Sequence, residues 1–345
     1  MKGDFTGFTL GEFHSSDLGI VRIADGDRYD EALLPDIEDK TVDIPGNDGS
    51  YYYGSYYKLR EFKINVAFDR INNEQFRKLK RVASNRKLFQ LTFDEAPYKT
   101  YLVKATSSPE FHYVCFDESK LEYTSENHNG YIPGSINHIK GNSEPEMIYK
   151  GEGDLTFTAY NPFGFSKYKT LEEAAEDYDN VSEWAETSGI HSEEDHSDYD
   201  TYNNGNIKVY NPGDISTPFK LYIPFGNSTT IPATTIQLQD SNGTPIEGYT
   251  FILDEVEKIT TGNIEHSGIL INTKNQLVEG VTEDSGGNIK VESKLVYNEY
   301  ATKGNFFKIP TGSINSNEEY CGFDGIINIT GASNGIIIDY DYLYF

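Results

Sequence analysis

KLREFKINVAF, residues 58 to 68, puts Phe62, Ile64, Val66 and Phe68 on one side of an extended chain and Glu61, Lys63 and Asn65 on the other. An apolar period of two marks a strand with one buried face. The same alternation returns in Phe89, Leu91 and Phe93, in Tyr101, Val103 and Ala105, and in Leu155, Phe157 and Ala159 of GDLTFTAYNPF. Half-buried strands must bury their apolar faces against something, and a sheet sandwich is the economical solution. Between the first two of these strands, Asn72 and Gln75 form a capping-box-like start to NEQFRKLKRVAS. Phe76, Leu79, Val82 and Ala83 then share one helical face, which predicts one helix packed on the sheet.

Composition supports an all-β chain. Of 345 residues, 37% are hydrophobic, with 20 Phe and 26 Tyr, which is enough large apolar surface to exclude general disorder. Such a length exceeds one comfortable core, so two domains are expected. Beyond residue 205 short runs such as IKVYNPG, TPFKLYIPF, TTIQLQD, YTFILD, GILINT and GIINIT are punctuated by Gly, Asn and Pro, the pattern of a second sandwich. No fixed-period repeat is present, which argues against solenoids and propellers. In the final stretch Ile338, Tyr340, Tyr342 and Tyr344 share one strand face, and the domain they complete is left open.

Charge divides the chain. Residues 1 to 110 hold 16 basic and 18 acidic side chains, whereas Leu171 to Asp200 hold twelve acids and no Lys or Arg. The boundaries expected are therefore 1–165, an acidic linker or arm at 166–205, and 206–345. The acidic segment is amphipathic: Thr170 and Glu173 make a capping box, and Leu171, Ala174, Tyr178, Val181 and Trp184 form one apolar stripe. Trp184, the single tryptophan, is expected to bury itself and anchor the arm.

A net charge of −26 argues against nucleic acid or an anionic membrane as partner, because phosphate binding needs clustered cations. The one basic concentration runs from Arg70 to Lys87, with Arg77, Lys78, Lys80, Arg81 and Arg86 between, and reads as a solvated helix face or a surface for acidic neighbours. No apolar run reaches membrane-span length, and MKGDFTGFTLGEF lacks the order of a signal peptide, so synthesis in a cytosol is expected. Cys115 and Cys321 match no metal spacing and are expected as buried thiols.

Chemistry-bearing motifs fail one by one. His191 and His196 lack the spacing that sets two imidazoles on one helical face beside a base. A calcium loop begun at Asp198 and Asp200 meets Tyr202, Asn203 and Val209 where an oxygen ligand, a glycine and a glutamate belong. Gly151 and Gly153 lack a third glycine and a βαβ setting, and neither a phosphate loop nor a nucleophile elbow exists. No catalytic, cofactor-binding or metal-binding residue is assigned. The turn Ile44-Pro45-Gly46-Asn47-Asp48-Gly49 reads as a hairpin connection, with a contact loop as the alternative, and the adjoining run Tyr51-Tyr52-Tyr53-Gly54-Ser55-Tyr56-Tyr57 reads as a sugar-stacking or protein-binding patch, since tyrosine buries area while keeping a hydroxyl to pair.

Taken in order, FHSSDLGIVRI (Phe13 to Ile23), VDIPGNDGSYYYGS (Val42 to Ser55), YKLREFKINVAFD, NEQFRKLKRVASN, LFQLTFDEAPYKTYLVKATSSPEF and EGDLTFTAYNPFGFS resemble the N-terminal domain of the distal tail protein family of siphophages that infect Gram-positive bacteria. The resemblance covers residues 1 to 165 well and 206 to 345 loosely. It implies a non-enzymatic hub of the virion's tail tip or baseplate, made in the host cytoplasm. A β-sandwich with one helix would close into a homohexameric ring on the tail tube protein, and DNA would pass its lumen without specific binding. A galectin-like outer domain would carry receptor-binding proteins, and a tail-associated lysin or tip protein would sit on the other face. The 166–205 insert departs from the family pattern and reads as a partner-specific arm. The competing classes are a carbohydrate-binding module contacting host cell wall and a polysaccharide-cleaving enzyme, the latter with no local motif to support it.

Overall fold

The computed structural model describes residues 7–23, 34–43, 50–117, 147–261, 264–293, 297–314, 320–332 and 335–345. The chain is mostly strand and divides into two compact units, Met1–Gly164 with Phe345, and Phe165–Tyr344.

The first unit contains β1 (Phe8–Leu10), β2 (Phe13–His14), β3 (Ile20–Arg22), β4 (Ile37–Asp43), β5 (Ser50–Tyr57), β6 (Arg60–Asn72), α1 (Asn73–Ala83), β7 (Phe89–Phe93), β8 (Thr100–Ala105), β9 (Glu110–Asp117) and β10 (Met147–Ala159). Its main sheet follows one antiparallel path, β2-β1-β7-β8-β10-β6-β3, with β9 also paired to β10. The longest ladder joins β6 to β10, from Arg60 opposite Ala159 to Asn72 opposite Ile148, with one irregularity between Tyr149 and Gly151. The other edge of β10 is shared, its first part by β9 and its last three residues by β8. The alternating residues read from the sequence meet in a single core: Phe62, Ile64, Val66 and Phe68 with Leu91, Phe93, Tyr101, Val103, Leu155 and Phe157.

Helix α1 begins where the sequence places it. The Asn72 side chain accepts from the Gln75 backbone N–H at 2.9 Å, and the Gln75 side chain accepts from the Asn72 N–H at 3.1 Å, so two otherwise orphaned donors are satisfied reciprocally. Phe76, Leu79, Val82 and Ala83 are buried in the sheet's core, and Phe76 stacks on Tyr149 at 4.2 Å.

The second unit is built on two larger antiparallel sheets, as the all-β reading expects. One sheet has the order Tyr202–Asn203, Asn206–Asn211, Phe323–Thr330, Thr234–Asp240, Pro245–Leu253, Ala301–Gly304; the other has Ile289–Ser293, Leu277–Glu283, Gly268–Asn272, Phe219–Pro224, Ile337–Tyr340. Phe307 bridges them, 5.3 Å from Phe219 and 5.9 Å from Tyr249. The Tyr340 hydroxyl also spans them, donating to the Tyr210 carbonyl at 3.0 Å and accepting from its N–H at 3.1 Å.

The acidic segment, expected between two domains, is part of this second unit. It forms α2 (Leu171–Ala175), α3 (Val181–Ser188) and α4 (Glu193–His196), with the Thr170–Glu173 capping box in place. All of its acids but Asp200 face solvent, while Ala174, Val181, Trp184 and Ile190 are buried, so the apolar stripe rather than the charge run decides where it lies. Tyrosines from the sandwich hold it. The hydroxyls of Tyr344 and Tyr210 donate to the carbonyls of Ser188 and Gly189, each at 3.0 Å, and the Tyr342 hydroxyl lies 3.1 Å from His196 Nε2. Residues 336–344 therefore complete the second unit, and Phe345 belongs with the first.

Two predictions follow from these cores. Phe157→Ala removes a ring with no exposed surface and should cost the first unit about 3–5 kcal/mol, read as a lower denaturant midpoint. In the second unit, burial lowers the pKa of His196 and of His266, whose Nδ1 lies 2.9 Å from the Tyr297 hydroxyl. The unfolded chain then takes up these protons first, so stability is full above the ordinary histidine pKa of about 6.5 and declines as pH falls below it. Asp341, raised by burial, acts in the opposite sense in the carboxylate range. Thermal unfolding of the second unit should therefore shift to lower temperature between pH 8 and pH 5.5; a midpoint that does not move would contradict the buried-imidazole account.

Candidate interaction surface

Strands β4 and β5 make a hairpin that pairs with no other strand among the described residues. Ile37 lies opposite Tyr57, Glu38 opposite Tyr56 and Asp39 opposite Ser55; after an irregularity the pairing resumes with Thr41 opposite Tyr52 and Val42 opposite Tyr51. Every residue of β4 is exposed, and in β5 only Gly54 and Tyr57 are half-buried. Tyr51, Tyr52 and Tyr53 are 53%, 63% and 68% exposed. The turn at 44–49 lies outside the described residues.

Local polar contacts hold the hairpin's shape. Ser55 donates to Asp39 at 2.6 Å, the Tyr52 and Ser55 hydroxyls are 2.6 Å apart, and Ser50 bonds Asp43. Lys40 lies 5.1 Å from the Tyr56 ring centre. At the base, Lys58 Nζ is 2.8 Å from Glu38, and hydrogen bonds from Lys58 and then Tyr56 hold the Glu38 carboxyl below its usual range. A cavity of about 600 Å³ opens there, bordered by Leu34, Asp36, Tyr56, Lys58, Leu59 and Tyr160. Beside it Arg60 is buried, donating to the Tyr101 hydroxyl at 3.2 Å, and the Tyr57 ring packs edge-on against Phe163 at 5.2 Å.

A hairpin with no buried face gains little from its own contacts and is marginal alone, and its outer edges present unpaired backbone donors and acceptors. Three adjacent exposed tyrosines on such an element make it the candidate contact surface of the first unit.

The remaining candidates separate cleanly. On α1 and just beyond it, Arg77, Lys80, Arg81, Arg86 and Lys87 are exposed, while Lys78 pairs with Glu74 at 2.8 Å. His196 is buried against Tyr342, and His191 packs its ring 4.3 Å from that of Tyr210, so neither is presented as a ligand pair. Among the described residues no group of three or more His, Cys, Asp or Glu could hold a metal ion. Gly151 and Gly153 serve the sheet: a Cβ on either would lie 2.3 Å from the His112 carbonyl or 2.4 Å from that of Glu110 on β9. The two cysteines correct the sequence expectation, because both are exposed. Cys115 lies on β9, where Tyr113 and Val114 are exposed as well.

Sequence reasoning missed a second surface. Val21, Tyr113 and Val114 are exposed around a groove of about 610 Å³ that also includes Phe68 and Lys150. Its signal was the stretch Phe111-His112-Tyr113-Val114-Cys115-Phe116, where apolar residues fall on both parities instead of one.

Residues 16–113, which include the hairpin, β6, α1, β7 and β8, match the family model described as a phage tail protein RIFT-related domain. No curated protein matches the chain. Among solved structures, the Dit protein of phage SPP1, described as a paradigm of the hub adsorption apparatus in Gram-positive infecting phages, is similar with a TM-score of 0.46 and 11% identity over 98% of this chain and 99% of that chain. The phage P2 baseplate in its activated conformation with Ca gives a TM-score of 0.34 and 8% identity over 97% of each chain. The same baseplate with Sr gives 0.34 and 7% over 97% of each. The match over residues 16–113 to a phage tail domain is in line with the sequence's likeness to the distal tail proteins of siphophages.

Proposed function

We propose that this chain is a structural hub of a phage tail tip or baseplate, in which six copies close into a ring through the β4–β5 hairpin. The observation that carries this is the hairpin itself: within the matched phage tail domain, the element with exposed Tyr51, Tyr52 and Tyr53 has no partner strand among the described residues. An element of that kind is stabilised when a neighbour covers it, and a surface that mates with a different surface of the next copy generates a ring when the rotation closes.

In this role the ring joins the tail tube protein on one face to the tip protein or tail-associated lysin on the other, DNA passes through its lumen, and the second unit carries receptor-binding proteins. The mature protein resides in the virion, and its work is geometric, without catalysis. The carbohydrate-binding alternative has weaker support. In the described part of the second unit Tyr320 is the one aromatic among the exposed large apolar side chains, and its hydroxyl is engaged with Thr311 at 2.7 Å and the Gly213 carbonyl at 2.8 Å. A sugar platform needs an aromatic face and convergent polar groups in one groove.

Light scattering at moderate salt should give six times the 38.9 kDa chain mass, or twice that for paired rings. Replacing Tyr51, Tyr52 and Tyr53 together by Ser should leave unfolding nearly unchanged, since exposed substitutions shift stability by only about 0.5 kcal/mol each. Assembly should weaken by at least about tenfold, the loss typical of removing one buried interface tyrosine. A parent that stays monomeric at high concentration defeats the ring, and a triple variant that assembles like the parent defeats the hairpin's part in it.

A further inference from the structure

We infer that the basic face of α1 is a second docking surface, and that its occupant is the acidic helical segment of another copy of this chain; this rests on the ring proposed above. Arg77, Lys80 and Arg81 stand at positions i, i+3 and i+4 of α1 and so form one exposed stripe about a turn long, continued by Arg86 and Lys87 beyond the helix end. Among the described residues none of these five takes part in an ion pair, although Lys80 also lies 4.2 Å from the Phe76 ring centre. The apolar side of α1 is spent on the core, so only the charged side remains to meet a partner.

The chemistry of that partner is set by charge. A chain of net charge −26 repels its own copies, and association requires that cations be brought to acids locally. The stretch 171–200 is the complementary surface, with no Lys or Arg of its own. On α3, Glu183 and Glu186 are exposed one turn apart, which matches the Arg77–Lys80 spacing, and Glu176 at the end of α2 is exposed as well. The buried side of this segment is held by Trp184 and by the tyrosines of its own unit, so its acids are presented from a fixed frame. A surface of this kind sets register and specificity between copies more than it adds raw affinity.

A charge-swap series tests this on the full-length chain. One variant carries Arg77→Glu, Lys80→Glu and Arg81→Glu; the second carries Glu176→Lys, Glu183→Lys and Glu186→Lys; the third carries all six. All six positions are exposed, and melting curves like the parent's will establish that each variant is folded. Each single set should raise the concentration for half-assembly about tenfold at 0.1 M salt, with the difference shrinking at 1 M, where the Debye length falls from about 10 Å to about 3 Å. The six-fold variant, and an equimolar mixture of the first two, should assemble at nearly the parent's concentration, since each opposes an acidic stripe to a basic one at every contact. If the single sets assemble like the parent, or the six-fold variant is as weak as either set, the inference falls while a ring closed by the hairpin stands. A parent that never assembles overturns the ring itself and this contact with it.

Discussion

The β6–β10 ladder is the constraint on which the first unit depends. Both strands are 13 residues long, and at about 3.3 Å per residue each spans roughly 40 Å. Backbone hydrogen bonds along that length are added to an apolar face from Phe62 to Phe68 on one strand and Leu155 to Phe157 on the other. Each neighbouring element is placed by this pair. The hairpin enters β6 at Arg60, and α1 leaves it at Asn72, whose side chain is the helix cap. The two surfaces proposed for contact thus lie at opposite ends of one strand, so their separation is fixed by a rigid ladder instead of by loops.

Such placement explains why much of the fold is legible in the sequence. Alternation in KLREFKINVAF and GDLTFTAYNPF reflects one dry face and one wet face, and α1 shows both its cap and its apolar stripe. Long-range pairing is less legible, because period two says which residues face inward and not which strand lies alongside. Nothing in the sequence of β10 announces that β9 and β8 divide its second edge between them. The acidic segment shows a different limit. Its twelve acids signal solvent, its stripe signals burial, and both are correct for opposite faces; what remained hidden was the acceptor, a row of C-terminal tyrosines more than 130 residues away.

The candidate surface was legible as composition and not as geometry. Three consecutive tyrosines in a strand put aromatic rings on both faces, which a sheet buried on one face cannot accommodate without exposing some of them. A two-stranded hairpin with neither face buried meets that condition. Neutral aromatic side chains are also suited to contact between strongly acidic copies, because they bury area without adding to the repulsion.

In the proposed ring, electrostatics and hairpin stability act on the same assembly. An isolated two-stranded hairpin is marginal in water, so whatever covers it also stabilises it, by the linkage through which binding to one state raises that state's population. Closure of the proposed ring and hairpin order are in that sense one equilibrium. The basic stripe of α1 would contribute differently in the proposed contact: its long-range field acts before surfaces touch and biases which faces meet, whereas the tyrosines act only on contact. A chain with 55 acids against 29 bases can tolerate this arrangement because seven of those bases are gathered between Arg70 and Lys87. Spread evenly, the same bases would be neutralised by nearby acids and would leave no face able to attract a like-charged copy.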